Sequence, residues 1–284
     1  MALLGGIYAP NTPTLIGDLG IRHEATEQAL KDLGQRIQGL SPIDAVVVIS
    51  PHFVTGTGFG LVNSSPLRQI FDFAGFPSSF YQVHYTPPGA ADVVQALEQL
   101  SRQAQIPIAI TDQWGLDHGA WAPLYHLFPA ANIPVVPISI CPELGPVAHE
   151  ALGQQIHQLA KKFHLLVLAT GSLIHRLDLW NQDMSSYPDD ARQYLRVAKE
   201  AFGLGQWEIL WNAPEVWREQ AAPEGGELPL RVLAGAIPSY CAEILAEEEE
   251  FSAVSLTTVF FEPTGDKDAC DERGFRTKSI SEDF

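Results

Sequence analysis

The sequence predicts an α/β fold, and three observations carry that reading. Two runs, Ala45 to Ile49 and Leu165 to Ala169, are continuously apolar, the mark of strands buried on both faces. Residues 147–163 place Ala148, Leu152, Ile156, Leu159 and Phe163 at spacings of three and four, which lines one face of a helix. The first fifty residues read as strand, loop, helix and strand, a βαβ unit. At 284 residues and 46% hydrophobic the chain can bury a large core. No Gly/Ser or Pro linker divides it, so one domain is expected.

Taken in order, Leu3 to Tyr8 is a short apolar strand, stopped by Ala9-Pro10-Asn11-Thr12-Pro13, where two prolines enforce an extended loop. A helix over 21–37 follows, with Ala25, Leu30, Leu33 and Ile37 on one face. Ser50-Pro51 is expected to stop the strand of Ala45 to Ile49, since proline has no N–H for the ladder. His52 would then lie just past a carboxyl strand end, where open α/β sheets place ligands. Gly58 to Val62 reads as a strand. Residues 70–85 read as a loop dense in aromatics, either a pocket wall or a loop packed on the core.

A helix over 91–103 and a strand over 107–110 come next. Asp117 is the expected N-cap of a helix ending near Phe128. His118 falls in its first turn, where the helix dipole disfavours the protonated ring and a neutral imidazole donates one hydrogen bond. The run 133–140 carries Pro134 and Pro137, which demotes it from a fully paired central strand or implies a bulge. His149 and His157 lie off the apolar stripe of the 147–163 helix and read as surface histidines. The strand of Leu165 to Ala169 runs into Thr170-Gly171-Ser172-Leu173-Ile174-His175, again strand, turn and histidine. That turn can offer backbone N–H groups to an anion. Beyond it the expectation is a helix from Pro188 to Phe202 and a polar stretch 206–227 holding Trp207, Trp211 and Trp217. A helix from Leu228 to Leu245, close-packed at Gly235, an exposed acidic turn 247–250, a strand 252–261 and a polar tail complete the chain.

Lys and Arg total 17 against 34 Asp and Glu, a formal charge of −17. This balance argues against nucleic-acid phosphates and anionic membrane surfaces as partners. Three widely spaced cysteines without a CxxC pair suggest neither a disulfide framework nor a zinc knuckle, and fit a reducing cytoplasm. The start has no basic segment, and no apolar run approaches the roughly 18 residues of a membrane span. A soluble, unprocessed chain is expected.

Histidines at strand ends together with a carboxylate suit non-haem iron or catalytic zinc, both of which need open coordination positions. The candidates are scattered over more than two hundred residues rather than gathered in one motif. Five strings carry a resemblance: Asp72-Phe-Ala-Gly-Phe-Pro77, Tyr85-Thr-Pro-Pro-Gly89, Gly115-Leu-Asp-His-Gly-Ala-Trp-Ala-Pro-Leu124, Phe128-Pro-Ala-Ala-Asn-Ile-Pro134 and Gly171-Ser-Leu-Ile-His175. They resemble the class III extradiol ring-cleavage dioxygenases (LigB-type catalytic subunit), especially the branch of 4,5-DOPA dioxygenase-like proteins, in family order from residue 5 to about 240. The resemblance implies a single-domain α/β/α sandwich over residues 1–262 with a mixed, largely parallel sheet, and a tail over 263–284. It also implies an Fe(II) or Zn(II) site, O2 and a small catechol-type substrate, and it leaves room for a homo-oligomer.

By the same resemblance, the first metal position falls on Asn11, where the family has histidine, and the second on His52. The third falls on Glu227, with Glu224 the alternative about one alignment step away. His175 matches the family acid/base histidine, and His118 the one that hydrogen-bonds bound oxygen or substrate. The amide at Asn11 leaves three arrangements: it ligates through its oxygen, His23 substitutes, or the site holds no metal and the chain is a non-catalytic binding or partner subunit. Hydrolysis by a zinc-bound water is a further use of the same residues.

Overall fold

The computed structural model describes residues 2–17, 19–39, 41–180 and 186–264; the tail expected over 265–284 lies outside the described residues. One sheet contains β1 (Leu3–Ala9), β2 (Ala45–Val54), β3 (Phe59–Val62), β4 (Ile108–Thr111), β5 (Val135–Ile140), β6 (Leu165–Thr170), β7 (Tyr240–Glu250) and β8 (Val254–Pro263). Its order is β4-β3-β5-β2-β6-β1-β8-β7. The central β5, β2, β6 and β1 run parallel, while β3 opposes β5, β8 opposes β1 and β7 opposes β8. The mixed, largely parallel sheet of an α/β sandwich is therefore present.

The helices are α1 (Glu24–Gln38), α2 (Ala91–Gln103), α3 (His118–Leu127), α4 (Gly145–Leu159), α5 (Asp189–Gly203), α6 (Trp207–Trp211), α7 (Glu215–Ala221) and α8 (Leu228–Ala236). Successive side chains of a strand point to opposite faces, and β2 feeds two cores in this way. Val46 and Val48 pack with Leu30, Leu33, Leu124 and Leu127 of α1 and α3. Ala45, Val47 and Ile49 pack with α2, α4, α5 and α8 through residues such as Leu97, Ile156, Tyr194 and Leu233. Among the described residues, no helix is long and apolar enough to cross a membrane.

Proline misled the sequence reading at β2, whereas β5 is incompletely paired as its prolines suggest. β2 does not stop at Ser50-Pro51. Its register with β5 breaks between Ile49 and Val54 and then resumes at Ile140, so Pro51 sits in a bulge where no ladder N–H is needed. β5 is central and fully buried despite Pro137, which pairs opposite Val48. On β5, Pro134 accepts from the Val46 N–H at 2.8 Å, whereas the Val135 N–H turns away from β2 to the Pro88 carbonyl. Pro137 shares the orientation of Val135, so its missing N–H falls toward β3, which pairs with β5 only at Leu61 and Ile138.

Four other expectations change. α8 ends at Ala236, just before Pro238, and residues 240–250 form β7, with Glu250 buried rather than in an exposed acidic turn. The stretch 206–227 holds two short helices. His149 is buried, accepting from the Cys141 N–H at 3.1 Å and bonded to the Gly145 carbonyl at 2.6 Å. Cys141 is a free buried thiol, whereas Cys241 is disulfide-bonded, so wide spacing along the chain does not exclude a bridge.

Gly235 makes the close approach expected of it. A Cβ there would lie 2.0 Å from the Glu150 carbonyl oxygen, and one on Gly153 would lie 2.1 Å from that of Val232. α4 and α8 thus meet backbone to backbone. Gly153→Ala should destabilise the protein by about 1–3 kcal/mol through overpacking, whereas Gly39→Ala, whose Cβ would meet nothing closer than 3.5 Å, should leave the urea midpoint nearly unchanged.

Candidate active site

The bulge at the end of β2 turns His52 into a cleft beside the N-terminus of α3. Asp117 caps that helix, accepting from the Ala120 N–H at 3.2 Å as expected of an N-cap, and its carboxylate also receives the Ser50 hydroxyl at 2.6 Å and the Trp114 indole N–H at 3.0 Å. Burial pushes the Asp117 carboxyl up, although the bonds from Ser50 and Trp114 pull the other way. The approach of helix to strand requires Gly119, since a Cβ there would lie 2.4 Å from Ser50 Oγ and 2.8 Å from His52 Cδ2. The rings of His52 and His118 consequently sit with centroids 4.2 Å apart.

The aromatic loop contributes a carboxylate that the sequence reading left unassigned. Asp72 Oδ1 accepts from both the backbone N–H and Nδ1 of His118, each at 2.8 Å, and Oδ2 lies 3.2 Å from His52 Nδ1. The loop is anchored on α3, with the Trp121 indole donating to the Ile70 carbonyl and the Phe71 and Trp121 rings 5.5 Å apart. Phe73 remains half-buried with its ring 5.3 Å from that of His118, so this loop both packs on the core and walls the cleft.

On the other side of His52, Nε2 lies 3.1 Å from Glu224 Oε1, which also accepts from Asn11 Nδ2 at 3.1 Å. Glu224 Oε2 is buried without a hydrogen-bond partner. Burial pulls the His52 imidazole down, but the bonds to Asp72 and Glu224 outweigh it and raise the group to about 10. The carboxyls respond in the opposite sense. Burial pushes Asp72 and Glu224 up, and the imidazoles beside them, His118 with His52 for Asp72 and His52 with His175 for Glu224, bring both below their ordinary values.

Glu227, the carboxylate chosen from the resemblance, is elsewhere. Gly225, Gly226 and Glu227 all have left-handed backbones, with φ of 63°, 62° and 66°. Three such residues in succession reverse the chain, so Glu224 and Glu227 leave it in different directions. Glu227 instead receives the Tyr194 hydroxyl and Arg218 Nε, the latter at 3.0 Å. His23 is also remote from His52: it is buried, 3.0 Å from Thr14 Oγ1 and 3.9 Å from Glu250 Oε1. The Thr170-Gly171-Ser172 turn is tied to two other segments. The Gly171 N–H goes to the Ala9 carbonyl, and the Ser172 carbonyl accepts from the Glu224 N–H, so this turn seats Glu224. His175 follows it, half-buried and anchored by its N–H to the Ala221 carbonyl, close enough for its charge to act on Glu224.

Asn11, His52, His118 and His175 are therefore gathered around one cleft, with Glu224 in place of Glu227 and Asp72 added. Asp72 was missed and Glu224 was named only as the alternative, and both had weak signals. Asp72 was the single charge within an aromatic string, and Glu224 the other acid of a Glu-Gly-Gly-Glu run. Two overlapping donor sets for a metal ion meet at His52: its Nε2 with Glu224 and Asn11, and a cluster of His52, Asp72 and His118 whose ligand atoms lie within 4.8 Å of one another.

Known proteins resemble this chain in sequence and in fold. The chain is 37% identical over 148 residues to a 4,5-DOPA dioxygenase extradiol of Escherichia coli, covering 51% of this chain and 53% of that relative, so it spans about half the relative's length. A 4,5-DOPA dioxygenase extradiol of Mirabilis jalapa is 30% identical over 196 residues, 68% of this chain and 72% of the relative. The crystal structure of an uncharacterized Escherichia coli protein superposes with a TM-score of 0.69 at 25% identity, covering 90% of this chain and 99% of that one. Residues 11–262, from Asn11 at the cleft to the end of β8, match the family described as the catalytic LigB subunit of aromatic ring-opening dioxygenase, and this chain belongs to that family of class III extradiol dioxygenases.

Proposed function

We propose that the protein is an extradiol dioxygenase that opens a catechol-type ring with O2 at a non-haem Fe(II) or Zn(II) ion held by His52 and Glu224, with Asn11 beside them. The observation that carries this reading is the contact between His52 Nε2 and Glu224 Oε1. With Asp72 placed to receive the Nδ1 proton of His52, Nε2 and the carboxylate oxygen are two lone pairs facing each other unless a cation lies between them. A proton can fill that role, but two carboxylates and one imidazolium leave a net charge of one minus. A divalent ion in place of the proton makes the cluster neutral, and the unpartnered Glu224 Oε2 supplies it a further donor. A ligating histidine that gives its other N–H to a carboxylate is the usual arrangement at such sites.

When bound, the metal supplies adjacent positions at which the two oxygens of a catechol and O2 can meet. The chain's own residues do the remaining work. His175 takes a proton from a phenolic oxygen and returns it to the opened product, a role suited to an imidazole near neutral pH. His118 hydrogen-bonds the bound ligand. Phe73 and the loop around it cover the cleft and exclude water from the ring.

A second reading has its own observation. A carboxylate only accepts hydrogen bonds, so Asn11 turns its nitrogen rather than its oxygen toward Glu224. Glu224 Oε1 is satisfied by donors from Asn11 and His52 without a metal ion, which suits a relative that binds an aromatic ligand without metal and acts as a binding or partner subunit. Elemental analysis of protein purified without chelator, followed by Fe(II) reconstitution and oxygen uptake with a catechol, separates the two. Stoichiometric metal and uptake are expected, and no metal under both conditions overturns the dioxygenase reading.

Substitutions sharpen the assignment. His52→Ala and Glu224→Ala should each weaken metal binding by more than the roughly 10- to 100-fold typical of losing an outer partner, while Glu227→Gln should leave metal affinity alone and cost about 1 kcal/mol of stability. His175→Ala should retain metal and lose about 10²- to 10⁴-fold in ring opening, measured by single-turnover absorbance; unchanged turnover would remove it from the mechanism.

A further inference from the structure

Asp72 is the single charged side chain between residues 70 and 81, and it meets two imidazoles at once. The same oxygen, Oδ1, receives the backbone N–H and Nδ1 of His118, while Oδ2 faces Nδ1 of His52. A carboxylate accepts and does not donate, so each Nδ1 it faces must carry a proton. A neutral imidazole has only one N–H to give. We infer that Asp72 is a positioning residue that fixes a proton on Nδ1 of both His52 and His118, so that Nε2 is the ring nitrogen left to a ligand: on His118 as an acceptor, and on His52 as the atom that meets Glu224 through a proton or, in its place, a metal ion. The consequence drawn here rests on the ring-opening reading, although the geometry does not.

For His52, Nε2 is the atom that faces Glu224, where a metal ion would be held. For His118 the consequence reverses the sequence expectation. With its Nδ1–H taken by Asp72, a ring that carries one proton meets a bound ligand as an acceptor at Nε2, suited to a phenolic hydroxyl and not to an oxygen atom in need of a donor. The backbone N–H of His118 also holds Oδ1 in place, which distinguishes the two ends of the carboxylate. In Asp72→Asn the amide oxygen should stay on His118, because two N–H groups require an acceptor there. The amide nitrogen then faces His52 Nδ1 and donates to it, which drives the His52 proton onto Nε2, on the side where the metal would bind.

The test uses the full chain labelled with nitrogen-15 histidine, in mildly alkaline buffer, with long-range proton–nitrogen correlation spectra. His118→Gln and His52→Gln assign the two rings by loss of signal. The expected result is a protonated Nδ1 and bare Nε2 for His118, and, on adding Zn(II), a metal-shifted Nε2 with a retained Nδ1 proton for His52. Asp72→Asn should keep the His118 tautomer and lower Zn(II) affinity about 10- to 100-fold in competition with a chromophoric chelator. His118 carrying its proton on Nε2 would overturn the inference. So would Zn(II) bound to Nδ1 of His52 and His118, or an Asp72→Asn protein with parental affinity and unchanged tautomers. If the parent chain bound no Zn(II), the metal reading would fail, while the His118 tautomer would still decide the role of Asp72.

Discussion

An imidazole with a carboxylate at each ring nitrogen is the interaction on which the rest of the site depends. Taking such groups out of water is costly, and each is tolerable only because the others compensate it. The three arrive from separate parts of the chain: His52 from the bulge of β2, Asp72 from the aromatic loop 46 residues before its partner His118, and Glu224 from a turn 172 residues beyond His52. Each segment is then fixed by contacts that serve this meeting. Gly119 lets α3 come up against Ser50 and His52, Trp121 anchors the Asp72 loop, and the Ser172 carbonyl seats Glu224.

The same meeting explains why binding and chemistry are hard to separate here. His52, the candidate ligand, and His118, the candidate partner of substrate, are joined through one carboxylate and stacked edge to face. A change at either ring is therefore felt by the other through Asp72.

Much of this was legible in the sequence, and the failures have physical causes. β2, β6 and α4 follow from unbroken apolar runs and helical spacing, which report burial directly. His52, His118 and His175 were singled out by strand ends and a helix cap, and the family resemblance supplied the roles expected of them. Pro51 misled because a rule about a missing N–H does not say whether the strand bulges past it, while Pro137 lies where β5 is sparsely paired with β3. Glu224 was passed over for Glu227 because residue counting carries no backbone handedness, and two glycines followed by a left-handed glutamate turn the chain through a reversal that no spacing encodes. Asp72 belongs to the site only through contacts with distant residues, which one sequence cannot display. The strand β7 was read as a helix because its acidic end suggested solvent, whereas Glu250 is buried under the hydroxyls of Thr12 and Thr14 at 2.9 and 2.8 Å.

The glycine contact between α4 and α8 acts as a mechanical stop for the site. With backbone on backbone at Gly153 and Gly235, no side chain is available to compress or to swing aside, so α8 cannot come closer to α4. Glu224 hangs from the turn that opens this same helix. The depth to which its carboxylate reaches toward His52 is thus set at a joint that touches neither residue, and a relative with larger residues at that joint would have to hold its carboxylate at a different reach.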